Sequence, residues 1–316
     1  MRKEWIWLIA LSLCIVLIIP WSVLHWQKKK VITEEQQMRV LMLNGEIVKI
    51  ALEDYILGVV AAEMPAEFEL EALKAQAIAA RTYAVKRLSQ KKSFNNRYDV
   101  DTTVLTQAWL SDAQMKEKWG WLNYWRYRGK LNKAVSETRG MVLTDGGEYI
   151  DAFYHSSSGR KPTERSEEVW SSSRSYLQNV NSGEENQQRY VKSYTFTIKE
   201  LIKKVGISEV SRSLTTGDIQ ILTRTTAGRA KSLRLLGKVY LATQLRTLLG
   251  LSSTDIEWVV QPDRLTITSY GNGHAVGMSQ WGANDLAKKN INVQDILAHY
   301  YPGAKLMNLE DNKVDP

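Results

Sequence analysis

Cysteine is almost missing. The single one, Cys14, falls within an apolar N-terminal run, so the rest of the chain has no disulfide and no cysteine-ligated zinc. Histidine is scarce too. His155, His274 and His299 lie beyond that run, and no two sit at a ligand-like helical spacing, so neither a metal nor another cofactor is expected. No zinc-finger, basic-zipper or aromatic RNP pattern is present, which argues against nucleic acid as the partner of a chain carrying +8 net charge. The glycines at 271, 273 and 277 do not make a dinucleotide fingerprint, because three residues separate the last two. The acidic partners left are a membrane surface or an anionic wall polymer, beside simple solubility.

The 316 residues, 44% hydrophobic and 24% charged, describe a globular chain with ample core. Arg2 and Lys3 precede an apolar run from Trp5 to about Trp26, long enough to span a bilayer. Trp5, Trp7, Trp21 and Trp26 stand towards its ends, where an aromatic belt sits. No small-x-small cleavage site follows, so residues 1–27 are expected to be an uncleaved anchor, with 28–37 as linker. Lys28, Lys29 and Lys30 outnumber Arg2 and Lys3, and a local charge count would keep the bulk of the chain in the cytoplasm.

Residues 38–316 are expected to form an α+β region of mixed helices and antiparallel sheet, with a small inserted α+β subdomain at about 190–268. Asn44-Gly45 between apolar runs predicts a hairpin over Val40–Leu52. A second hairpin is expected over 141–154, turning at Asp145-Gly146-Gly147 and delivering His155 to Gly159 at a strand end. Gln107 to Arg128 holds Trp109, Trp119, Trp121, Tyr124, Trp125 and Tyr127, read as helix packing or as platforms for sugar rings. From Tyr190 short strands and one-turn connections follow, and they carry no recognisable chemistry.

Two charges stand on apolar helical patterns. Leu52, Ile56, Val59 and Val60 line one stripe, and Glu63, four residues on from Val59, continues it. Pro65 ends the helix near Met64, which puts Glu63 in the last turn. There the macrodipole opposes an anion, and partial burial favours the neutral acid. A carboxyl group so placed suits proton donation near neutral pH; the alternative is a Glu paired with Arg or exposed at a frayed end. The following helix, over 67–87, buries Leu70, Leu73, Ala77, Ala80, Ala84 and Leu88, with Arg81 at the stripe's edge. Arg81 either orients a carboxyl group or snorkels to water. Residues 271–283, between a strand and a helix, form a tight turn that brings His274, Ser279 and Gln280 to a helix N-terminus suited to holding oxygens, or a purely structural loop.

Tyr55–Phe68 (YILGVVAAEMPAEF), Ala72–Tyr83 (ALKAQAIAARTY), Tyr154–Gly159 (YHSSSG), Gly273–Ala283 (GHAVGMSQWGA) and Ile296–Gly303 (ILAHYYPG) together resemble the stage II sporulation protein D family over nearly the whole chain. The resemblance implies a membrane-anchored lytic transglycosylase that cuts peptidoglycan glycan strands during forespore engulfment. It implies action after a partner amidase has stripped the stem peptides, in a complex with that amidase and a further membrane protein. The catalytic domain would then lie outside the cytoplasm, against the local charge count. The family's catalytic Glu falls on Glu63, its functionally important Arg on Arg81, and a tyrosine of its Tyr-Leu-x-x-Val motif on Tyr176. His155, Ser157, Tyr176, His274, Ser279 and Gln280 would contact sugar, and Arg81 would hold the Glu63 carboxyl or a lactyl carboxylate. Ala275 and Trp281 depart from a glycine and a tyrosine usual in the family. Against the enzyme stand a non-enzymatic glycan-binding scaffold that recruits the amidase, and a plain hydrolase pairing Glu63 with Asp54 or Glu67.

Overall fold

In the computed structural model the Asn44-Gly45 turn joins β1 (Gln37–Leu41) to β2 (Ile47–Ala51), with Gly45 at φ 84° as such a turn requires. The structure describes residues 36–90, 97–103, 106–170, 172–183, 187–207 and 212–311. Residues 1–37 and 38–316 separate into two units. The expected anchor at 1–27 and nearly all of the 28–37 linker lie outside the described residues, and among those described no helix is long and apolar enough to cross a membrane.

Helix α1 (Leu52–Glu63) follows β2 directly and stops where Met64, ahead of Pro65, turns extended. Its Ile56, Val59 and Val60 are fully buried, worth about 1.5–3 kcal/mol each. Helix α2 (Leu70–Ser89) buries Ala75, Ala77, Ala79 and Ala80, and these small side chains let its neighbours approach closely. It starts three residues later than the sequence suggests. β3 (Val100–Asp101) runs parallel to β1. Helix α3 (Asp112–Glu137) is interrupted at Gly120, whose φ of 71° and ψ of 163° are not helical.

β4 (Met141–Asp145) pairs with β5 (Glu148–Tyr149) as expected, but the hairpin does not extend to Tyr154. Instead β6 (Tyr154–His155) stands alone and pairs in parallel, far along the chain, with residues 278–279. A short α4 (Ser166–Trp170) follows.

From Val191 to Tyr270 the order is β7 (Val191–Thr197), α5 (Ile198–Val205), β8 (Ile219–Arg224), β9 (Ala230–Leu235), β10 (Lys238–Leu241), α6 (Ala242–Leu249), β11 (Asp255–Gln261) and β12 (Arg264–Tyr270). Two three-stranded antiparallel sheets result, β10-β9-β8 and β11-β12-β7. Their buried side chains, from Phe196 to Ile267, form a hydrophobic cluster of their own. β13 (Met278–Ser279), α7 (Gln280–Lys288) and α8 (Val293–Tyr300) return to the first cluster, and β14 (Lys305–Asn308) closes on β4. The architecture is α+β. The parallel pairs β1·β3 and β6·β13 depart from an all-antiparallel sheet, and β6·β13 is what builds the site.

Candidate active site

The end of α1, the loop before α3, the β6·β13 pair and the loop before β13 converge on a cavity of about 410 Å³. Its walls include Glu63, Gln107, Tyr154, His155, Trp170 and His274. Glu63 ends its helix because of Pro65. Residues 107–110 are strapped across α1, where Leu110 N donates to Gly58 O at 3.1 Å. Gly58 is required for this crossing, since a Cβ there would lie 2.1 Å from the Trp109 indole nitrogen. The loop over 271–277 is tied back by a reciprocal pair of bonds between Ser157 and Asn272, at 3.0 and 2.8 Å. Gly277, at φ 71°, lies so close to β6 that a Cβ would meet Phe153 O at 2.1 Å. Ala275 also adopts a positive φ, 64°, which a glycine in that place would take without strain.

Glu63 is half-buried. Burial pushes its carboxyl pKa up, opposed by the Ala108 N–H, which donates to Oε1 at 3.0 Å, and by the Gln280 side chain, which also donates to it. Gln280 is itself held by a bond to Gln76 at 3.3 Å. The carboxyl group is thus aimed by two donors and still biased towards its neutral form.

The other titratable walls are held away from proton chemistry near neutral pH. His155 is buried, Nδ1 donates to Val276 O at 3.2 Å, and Nε2 accepts from Ser158 Oγ at 2.7 Å in the neutral form. Burial, with the neighbouring His274 and Arg229, pushes its pKa well down. His274 Nδ1 accepts from Val276 N at 3.1 Å, its ring bonds the Tyr154 carbonyl, and burial lowers its pKa to about 4. Tyr154 receives Gln107 Nε2 at 3.2 Å, while Gln107 Oε1 accepts from Tyr55 at 3.2 Å. Burial keeps both tyrosines protonated. Both histidines are therefore held in the cavity wall with a bias towards the neutral ring. The His274 ring packs 4.9 Å from Trp170, which is 41% exposed and lines the mouth. Among the described residues lining the cavity, Glu63 supplies the single carboxyl group.

Glu63, His155 and His274 therefore meet at one cavity, with Gln280 at the carboxyl group. The remaining expected residues do not line it. Arg81 is fully buried in the core, where Nε and one terminal nitrogen grip both Glu53 oxygens at 2.9 and 2.6 Å and the guanidinium also donates to Met141 O and Val135 O. Its donors are taken by α1's first turn, so it holds neither the Glu63 carboxyl nor a substrate carboxylate. Tyr176 is buried against Asp151, whose N–H donates to its hydroxyl at 3.0 Å. Ser157 accepts from Gly159 N at 3.0 Å and knots the loop, and Ser279 caps α7 by accepting from Gly282 N. All three act as framework. Asp54 is exposed in the first turn of α1, nine residues or about 13.5 Å along the axis from Glu63. Glu67 is exposed and accepts from Tyr127 at 2.7 Å, so neither supplies the second carboxylate of a hydrolase. Gln107, Tyr154 and Trp170 are not among the expected site residues; Gln107 and Tyr154 bond across 47 residues, and Trp170 packs on His274 from far along the chain. Among the described residues, no group of His, Cys, Asp or Glu is placed to hold a metal ion.

The stage II sporulation protein family matches residues 44–144, which carry α1, α2 and the Ala108 strap. Stage II sporulation protein D of Bacillus amyloliquefaciens is 38% identical over 266 residues, covering 83% of this chain and 76% of that one. The chain belongs to the stage II sporulation protein D family. The Bacillus subtilis protein of the same name is 38% identical over 267 residues with the same coverage. The amidase enhancer of Bacillus subtilis is 31% identical over 301 residues, covering 79% of this chain but 40% of its own length.

Proposed function

We propose that the cavity is the active site of a peptidoglycan lytic transglycosylase that acts on peptide-stripped glycan strands during forespore engulfment. One observation carries this reading: a single carboxyl group, biased towards its acid form and aimed by two donors, faces a cavity whose other titratable walls stay neutral. A hydrolase needs two carboxyl groups about 5–9.5 Å apart. A lytic transglycosylase manages with one, because the substrate brings its own nucleophile. Protonated Glu63 gives its proton to the oxygen joining N-acetylmuramic acid to N-acetylglucosamine. The resulting carboxylate takes the proton of the muramoyl C6 hydroxyl as that oxygen closes on C1, which leaves a 1,6-anhydro end and restores the acid. Trp170 and the His274 ring offer apolar faces to the sugar.

On this reading residues 1–27 anchor the chain in the mother-cell membrane as a single span. Residues 38–316 face the wall, with about 190–268 as an insert. The cell-wall amidase and a further membrane protein are the partners. Peptide-free strands incubated with the chain test the reaction. Fragments with anhydro ends, one water lighter than hydrolytic products, support it; hydrolytic products or uncut strands reject it. A non-enzymatic scaffold that recruits the amidase is the second reading, favoured by the relative named as an amidase enhancer. It predicts strands bound and uncut.

A further inference from the structure

Arg246 belongs to α6, in the second hydrophobic cluster, yet it reaches towards the catalytic cavity. Its Nε donates to Ser252 O at 3.2 Å, and the same carbonyl accepts Gly273 N at 3.0 Å. Gly273 lines the cavity beside His274, so one shared carbonyl separates the guanidinium from the cavity wall. Both histidine rings feel its charge. Arg246 is partly buried, and burial holds its pKa below the usual value, opposed by the Tyr194 phenol and by no carboxylate among the described residues. Among the described residues no carboxylate pairs with it, whereas Arg81, Arg160 and Arg229 are each paired to an acid. Among the described residues only its Nε has a hydrogen-bond partner, and the terminal nitrogens meet none.

A half-buried guanidinium without a counter-ion is costly unless an anion arrives to meet it. Its planar fork matches a carboxylate in two-point fashion. Arg81, the other cation considered for that task, is consumed by Glu53. We propose that Arg246 forms a carboxylate subsite at the edge of the cavity, which engages the free lactyl carboxylate of a muramoyl residue and so selects strands without stem peptides. This rests on the glycan reading of the cavity. It gives the 190–268 region a share in the site, contrary to the expectation that it carries no chemistry.

The test is binding, separate from turnover. The full-length Glu63→Gln chain in detergent is titrated with peptide-free muramoyl oligosaccharides and with their lactyl methyl esters. The acid is expected to bind about tenfold more tightly, a decade being about 1.4 kcal/mol. Adding Arg246→Gln, which keeps a donor for Ser252 O, should bring the acid down to the ester's affinity. Arg246→Lys should restore part of the preference. Arg234→Ala, which removes an exposed cation from the same cluster, should leave it intact. Equal binding of acid and ester, or a preference that survives Arg246→Gln, overturns the subsite while the glycan reading stands. Failure to bind either form removes the glycan reading and the subsite with it.

Discussion

Replacing Glu63 by glutamine isolates its proton. The amide keeps the side-chain volume, and its oxygen can still accept the Ala108 N–H that Oε1 now takes at 3.0 Å, so the site should keep its shape. On the proposed mechanism what is lost is the general acid, about 10²–10⁴ in rate or roughly 2.7–5.5 kcal/mol of barrier. Stability should move the other way. Burial raises the folded-state pKa of Glu63 above its unfolded value. Its contribution to stability is therefore full below the unfolded pKa and is lost as pH rises through the folded pKa. The amide does not titrate. Glu63→Gln is thus expected to melt higher than the parent at about pH 7.5 and level with it near pH 4. The parent's turnover should fall as pH rises through the folded pKa, because the acid form starts the reaction. Strand cleavage followed by mass spectrometry, with calorimetric melting at both pH values, reads all of this. Turnover within tenfold of the parent, or a lower melting point at the higher pH, would refute the reasoning.

Arg81→Ala should destabilise by about 3–5 kcal/mol, because Glu53 is left without its partner, as denaturant titration will read; the molecules still folded should keep the parent's product pattern. Gly277→Ala should cost about 2–5 kcal/mol through a disfavoured φ and the clash with Phe153 O, whereas Ala275→Gly should be neutral or stabilising by up to about 1 kcal/mol; thermal melts compare the two. Trp170→Ala should raise KM about two- to tenfold with little change in kcat, measured on strands of defined length, since it removes an aromatic face at the mouth and no proton donor. His274 has a folded-state pKa near 4, below its unfolded value, so its share of stability is present above about pH 6.5 and is lost as pH falls towards 4. Melting temperatures across that window should flatten in His274→Asn.

Much of this protein is written locally. Asn44-Gly45 sets a hairpin, Pro65 stops a helix, and an apolar stripe interrupted by Glu63 marks the residue on which the proposed chemistry rests. The short strands expected from Tyr190 onward are present as β7 to β12, with two eight-residue helices among them. What the pattern leaves open is which surface covers a stripe. Glu63 and Arg81 carry the same mark in the sequence, a charge set on an apolar face, yet one opens on a cavity and the other closes on an ion pair. The difference comes from neighbours 45 and 28 residues away, Ala108 and Glu53, and no local preference encodes them. The same holds for β6 and β13, which meet across 124 residues to set Tyr154 and His155 beside the 271–277 loop, and for Arg246, unremarkable in sequence until folding places it near the 271–277 loop with no carboxylate partner among the described residues. Period and turn chemistry act over a few residues and suffice to place a side chain on a face. Burial and charge pairing depend on whatever that face meets, and the packed tertiary structure alone supplies that partner.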